Sequence, residues 1–117
     1  ITKEFVQHTL NTPNLKALII ETYGSGNAPT ASWFIEGLKE AIEKGLIVYN
    51  VTQCKSGSVE MGRYETSLDL NRIGVLSGHD ITTESAIAKL MYLLGEGYPM
   101  EKIKELLQTP IRGEITL

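Results

Sequence analysis

The sequence predicts an α/β domain built on a small, mostly parallel sheet, and three observations predict it. Helix-period and strand-period segments alternate along the chain, as parallel strands joined by crossover helices require. Leu18, Ile19 and Ile20 form a short continuous apolar run, the pattern of a strand covered on both faces. Directly after it, Tyr23-Gly-Ser-Gly-Asn-Ala-Pro29 supplies a glycine-containing loop at the carboxyl end of that strand, where open α/β sheets place their ligands.

The elements follow in order. Ile1-Thr2-Lys3-Glu4-Phe5-Val6 starts a helix, with Thr2 as N-cap and Ile1 and Val6 at the two positions of a hydrophobic staple. It ends near Leu10 or Asn11, ahead of Pro13, and a strand from Ala17 to Thr22 comes next. Thr30 to Lys44 reads as a second helix, with Phe34, Leu38, Ala41 and Ile42 on one face and Gly45 at the C′ position. Leu46 to Thr52 is a second strand, rich in β-branched and aromatic residues. A polar loop from Gln53 to Gly62 leads to a short helix from about Tyr64 to Arg72, with Leu68 and Ile73 inward, and Gly74-Val-Leu-Ser77 is a third strand. Asp80 or Thr82 caps a further helix whose apolar stripe is Ile87, Leu90, Met91 and Leu94, and Gly95 ends it. Pro99 opens the last helix, where its missing N–H costs little, with Ile103, Leu106 and Leu107 buried. Pro110 and Gly113 lead into a short tail.

Three strands make a thin sheet for an α/β domain of this size, and the first helix has no strand in front of it. A strand upstream of Ile1 is therefore expected. The absence of an initial Met points the same way, towards a piece of a longer protein.

A chain of 117 residues is one domain and can bury roughly two thirds of its unfolded surface. Its composition, 42% hydrophobic and 21% charged, is that of an ordinary globular domain. A net charge of -3 argues against nucleic acid or an anionic membrane as partner, since both demand clustered Lys and Arg. No apolar run approaches the ~20 residues of a membrane span, and no secretory signal opens the chain. The single cysteine, Cys54, excludes an internal disulfide and fits a reducing compartment. Two His and one Cys, far apart, give no metal-ligand spacing, and neither metal nor cofactor is expected.

Three stretches invite chemistry. The loop Gly24 to Pro29 lacks the Gly-Lys-Ser/Thr ending of a phosphate-binding loop and the later glycine of a dinucleotide fingerprint. Its Asn27 can both donate and accept, which suits an uncharged or zwitterionic amide-like ligand; the same side chain can cap the loop's own backbone. The loop Thr52 to Thr66 also follows a strand and so lies beside the first. Its Cys54 has no well-placed His as base and reads as inert. Ser77-Gly-His-Asp80 contains the residue types of a catalytic triad. Adjacent His79 and Asp80 are poorly arranged for one, and capping accounts better for Asp80. His8 reads as a surface residue.

Taken together, Lys16-Ala-Leu-Ile-Ile20 with Tyr23 to Pro29, Thr52-Gln-Cys54, Gly57-Ser-Val-Glu-Met-Gly62, Tyr64, Gly74-Val-Leu-Ser-Gly-His-Asp-Ile-Thr82 and Ile111-Arg-Gly-Glu-Ile-Thr116 resemble the C-terminal domain of bacterial-type L-asparaginases. The likeness runs over essentially the whole chain and is stronger to the cytoplasmic type I enzymes than to the periplasmic type II enzymes. It implies a three-layer, Rossmann-like (flavodoxin-like) domain lacking its first strand, within a two-domain cytoplasmic enzyme that hydrolyses asparagine to aspartate and ammonia.

In that family the nucleophilic Thr and its assisting groups sit in Thr-Gly-Gly-Thr and His-Gly-Thr-Asp-Thr motifs of the N-terminal domain. Neither motif occurs here, so the resemblance implies residues 1–117 form a C-terminal domain without catalytic residues of their own, inactive alone. It would complete the active site of a neighbouring subunit in a homodimer or homotetramer. Asn27 matches a position that approaches substrate across the interface, and Tyr64 or, with a slip of one, Glu65 matches the other. Some type I relatives also bind asparagine at an effector site near Cys54. Here Asn27 and Cys54 match its elements, but Glu21 stands where an arginine would hold the effector's carboxylate, and a carboxylate there repels it. Two other readings are an asparaginase-like subunit of a tRNA-dependent amidotransferase and a free-standing amino-acid-binding regulatory module.

Overall fold

The computed structural model describes residues 2–22, 32–52 and 70–115. Helix α1 (Lys3–Leu10) begins as its sequence dictates: the Thr2 hydroxyl accepts from the Phe5 N–H at 3.1 Å, and Val6 turns inward. Ile1, the other half of the expected staple, lies outside the described residues. Strand β1 (Ala17–Thr22) follows, then α2 (Ser32–Glu43) with Phe34 and Leu38 buried. Gly45 closes α2 from the left-handed region at φ 105°, its N–H donating to Ile42 and that of Leu46 reaching back to Ala41. This is the double return bond that glycine at C′ permits.

Strand β2 (Ile47–Thr52) is the centre of the sheet. It pairs in parallel with β1 along six residues, from Ala17 opposite Ile47 to Thr22 opposite Thr52. On its other side it pairs in parallel with β3 (Leu76–Ser77), giving the order β1-β2-β3. Residues 70–73 are helical and bring Leu70 into the core. The sequence put Leu68 and Ile73 inward; Leu68 lies outside the described residues and Ile73 is half-buried. Helices α3 (Thr83–Gly95) and α4 (Met100–Leu107) complete the chain.

Side-chain alternation along β2 divides the core into two layers. Val48 joins Val6, Phe34, Leu38 and Leu70 under α1 and α2. Ile47, Tyr49 and Val51 join Leu90, Leu93, Ile103 and Leu107 under α3 and α4. Helices thus cover both faces of the sheet, the three-layer arrangement expected.

Of the two N-cap candidates for α3, Thr82 takes the role: its hydroxyl accepts from the Ser85 N–H at 3.1 Å, and Asp80 is not the cap. The buried face of α3 differs from the sequence reading. Its buried side is Ala86, Lys89, Leu90 and Leu93, while Ile87 and Met91 face solvent. The helix is rotated because Lys89 has a partner. Its ammonium meets the Glu114 carboxylate at 2.6 Å and donates to the Thr109 carbonyl at 2.7 Å, with the side chains only 4% and 13% exposed. Glu114 also accepts from the backbone N–H groups of Ile111 and Arg112, folding the tail around the pair, and Ile115 is buried beside it. Burial opposes ionisation of Glu114. The Lys89 ammonium and the N–H groups of Arg112, Glu114 itself and Ile111 outweigh it and hold the carboxyl at about 2. Tyr49, fully buried, donates its hydroxyl to the Leu107 carbonyl; burial first and then the Glu114 charge push the phenol up, so it remains a donor. Gly95 is the last residue of α3 rather than its terminator, and Gly97, at φ 72°, takes the left-handed turn. Leu106 is half-buried, unlike Ile103 and Leu107.

Candidate functional site

Buried polar residues gather near the carboxyl ends of the three strands: Thr22 ends β1, Ser77 ends β3, and Asn50 lies opposite Ser77, two residues before the end of β2. Thr22, Asn50 and Ser77 are 2%, 0% and 6% exposed. The Thr22 hydroxyl donates to Asn50 Oδ1 at 3.0 Å, joining β1 to β2. The Asn50 carbonyl accepts from the Gly78 N–H at 2.9 Å, joining β2 to the chain beyond β3. Gly78 is required by close approach: a Cβ there would stand 2.6 Å from Ile81 Cγ2 and 3.1 Å from the Asn50 carbonyl oxygen. Beyond it the Ser77 hydroxyl accepts from the His79 backbone N–H at 3.1 Å, and His79 sits at φ 56°. Ser77 is thus engaged in shaping the turn, while the cap expected of Asp80 is supplied by Thr82.

This carboxyl edge is where segments 23–31 and 53–69 depart, directly after Thr22 and Thr52. Of the residues singled out by sequence, Asn27, Cys54, Tyr64 and Glu65 lie outside the described residues. Glu21 is described: it is exposed, one residue before the end of β1, opposite Val51 in the register. Among the described residues no group of His, Cys, Asp or Glu is arranged to hold a metal ion, and no helix is long and apolar enough to cross a membrane. The edge offers hydroxyls and a carboxamide, groups that position neighbouring backbone and bind by hydrogen bonds. Of the row Thr22, Asn50, Ser77, the sequence singled out only Ser77, as part of the Ser77-Gly-His-Asp80 motif, and not Thr22 or Asn50. The signal of the row is there: Thr22 and Ser77 end their strands, and Asn50 interrupts a run of β-branched and aromatic residues.

A family model for the Glutaminase/Asparaginase C-terminal domain matches residues 1–107. L-asparaginase 1 of Escherichia coli K12 is 42% identical over 116 residues, which cover 99% of this chain and 34% of that protein. The human 60 kDa lysophospholipase is 43% identical over 105 residues, 89% of this chain and 18% of that protein. A glutamyl-tRNA(Gln) amidotransferase subunit of Saccharolobus islandicus is 34% identical over 113 residues, 97% of this chain and 25% of that protein. Among solved structures, L-asparaginase I of Vibrio cholerae superposes with a TM-score of 0.91 at 45% identity, covering 100% of this chain and 35% of that one. The chain therefore spans about a third of the length of these two asparaginases.

Proposed function

Because the chain belongs to the Glutaminase/Asparaginase C-terminal domain family, we propose that it is the C-terminal domain of a cytoplasmic L-asparagine amidohydrolase, converting asparagine and water to aspartate and ammonia. The observation that carries this reading is the 45% identity and 0.91 TM-score to an L-asparaginase I over the entire chain. In this reading residues 1–117 hold no catalytic residue, and the nucleophile belongs to a separate N-terminal domain. The carboxyl edge of the sheet is the platform from which Asn27, with Tyr64 or Glu65, reaches a substrate held by a neighbouring subunit of a homodimer or homotetramer. The Asn27 amide suits that task because asparagine presents both donors and acceptors. Asn27, Cys54 and Glu21 mark the corresponding effector position, where the Glu21 charge disfavours an effector carboxylate.

A preceding segment is supported by topology. Helices α1 and α2 pack together on one face of the sheet. A right-handed crossover from an earlier parallel strand through α1 therefore lands that strand on the side of β1 away from β2. That side of β1 has no strand among the described residues, and a groove of about 320 Å³ there runs past Phe5, Leu18 and Ile20.

Ammonia release from asparagine tests the reading: the longer protein is active, the 117-residue chain is not, and Asn27→Ala in the longer protein raises KM. Hydrolysis by the isolated chain would overturn it. The 34% identity to the archaeal amidotransferase protein favours a second reading, an asparaginase-like component of a tRNA-dependent amidotransferase. Ammonia release from glutamine that depends on charged tRNA distinguishes it.

A further inference from the structure

We infer that the buried hydrogen bond between Thr22 and Asn50 aims the chain that carries Asn27, an inference that rests on the reading of Asn27 as a substrate contact. Thr22 and Asn50 are then positioning residues for asparagine binding. The Thr22 hydroxyl donates to Asn50 Oδ1 at 3.0 Å, with Thr22 2% and Asn50 0% exposed. Side chains two apart along a strand share a face, so Thr22 lies with Leu18 and Ile20, and Asn50 with Val48, on the side of the sheet under α1 and α2.

This bond is not needed to hold β1 to β2. The two strands already pair in parallel along six residues, and Leu18, Ile20 and Val48 pack together on the same face. A hydroxyl and a carboxamide are costly to bury there unless paired, and an apolar pair of the same shape can stabilise as well. What the polar pair adds is direction. A hydrogen bond fixes a distance and an angle, whereas apolar contact is non-directional.

Direction matters at this point of the chain. Thr22 is the last residue of β1, and Asn27 follows five positions later. Thr22 is β-branched, so anchoring its hydroxyl also fixes χ1 and the backbone from which the next segment starts. Asn50 is a firm reference for that aim. Its carbonyl accepts from the Gly78 N–H at 2.9 Å. Gly78 is packed so closely that an added Cβ would stand 2.6 Å from Ile81 and 3.3 Å from the Tyr49 ring. Tyr49 in turn donates its hydroxyl to the Leu107 carbonyl at the end of α4. The start of the segment after β1 is thereby set against the most buried strand of the sheet. Tyr64 and Glu65 are more than ten residues beyond Thr52, so the effect falls chiefly on Asn27.

The test measures asparagine hydrolysis by the longer protein. Thr22→Val removes the donor and Asn50→Ala the acceptor, so either variant that folds reads the same bond. Each is expected to raise KM for asparagine roughly ten-fold, short of the ~100-fold that a misplacement of ~1 Å can cost, with a smaller change in kcat. Thr22→Ser, which keeps the hydroxyl, retains the native KM. In an Asn27→Ala background Thr22→Val adds no further rise, because the residue through which it acts is gone. Val48→Ala, in the same buried layer, lowers the thermal midpoint and leaves KM unchanged. The inference is overturned by an unchanged KM in Thr22→Val and Asn50→Ala, by an effect that adds to that of Asn27→Ala, by an equal rise in Val48→Ala, or by failure of both bond-breaking variants to fold. If Asn27→Ala itself leaves KM unaltered, the reading of Asn27 falls and this inference falls with it. If Asn27→Ala raises KM and Thr22→Val does not, this inference alone falls.

Discussion

At the scale of single residues, Lys89 and Glu114 decide more of this structure than their number suggests. A buried ammonium is tolerated only if its charge is met, and here the carboxylate and the Thr109 carbonyl both meet it. Lys89→Met leaves Glu114 uncompensated and is expected to cost about 3–5 kcal/mol in urea denaturation. The double variant with Glu114→Gln should cost less than the single one. The pH dependence has a defined sign. The Glu114 carboxyl is lowered from 4.5 to about 2 on folding, so its stabilisation is complete above about 4.5 and disappears as pH falls towards 2. The stability difference between the native chain and Glu114→Gln, followed across that window, should shrink on acidification; a flat difference contradicts it. Sequence reading could not see this pair, because it joins residues 25 positions apart and looks, locally, like one solvated lysine and one solvated glutamate.

At the scale of elements, local chemistry was legible wherever it was self-contained. The Thr2 cap, the Gly45 stop and the strand from Ala17 to Thr22 depend on residues next to one another, and all form as read. Helix α3 shows where that ends. Two stripes have helical spacing, Ile87-Leu90-Met91-Leu94 and Ala86-Lys89-Leu90-Leu93, and hydropathy alone prefers the one without lysine. The distant carboxylate chose the other. The candidate site was legible as a location, the carboxyl ends of β1 and β2, and the buried roles of Thr22 and Asn50 beneath it were not, since a polar residue at or near a strand end looks locally like any loop residue. Two glycines give opposed predictions. Gly37, within α2, would place a Cβ in ordinary contact, 3.4 Å from Leu10 Cδ1. Gly37→Ala should stabilise by about 0.5–1 kcal/mol through helix propensity. Gly78→Ala drives a methyl into Ile81 and the Asn50 carbonyl and should destabilise by roughly 1–3 kcal/mol. Thermal unfolding of the two variants checks both signs.

At the scale of the whole molecule, the described sheet is unequally covered. Ile47, Val48, Tyr49 and Val51 of β2 are at most 1% exposed, yet Leu18, Ile19 and Ile20 of β1 are only half-buried and Phe5 above them is 64% exposed. If an upstream strand occupies that side, β1 amides should exchange with solvent markedly more slowly in the longer protein than in the 117-residue chain, while β2 changes less. Equal exchange of β1 in both would argue against such a strand. The hydrogen bonds at Asn50 set a different kind of limit. Its side chain is tied to β1 and its carbonyl to the chain after β3, so one residue registers three strands. Adding or deleting a single residue between Ile47 and Asn50 would swing the carboxamide to the other face of the sheet and break both ties. A change of length within β2 is therefore expected to cost the register of the whole sheet, whereas one placed after Thr22 or Thr52 leaves both ties of Asn50 intact.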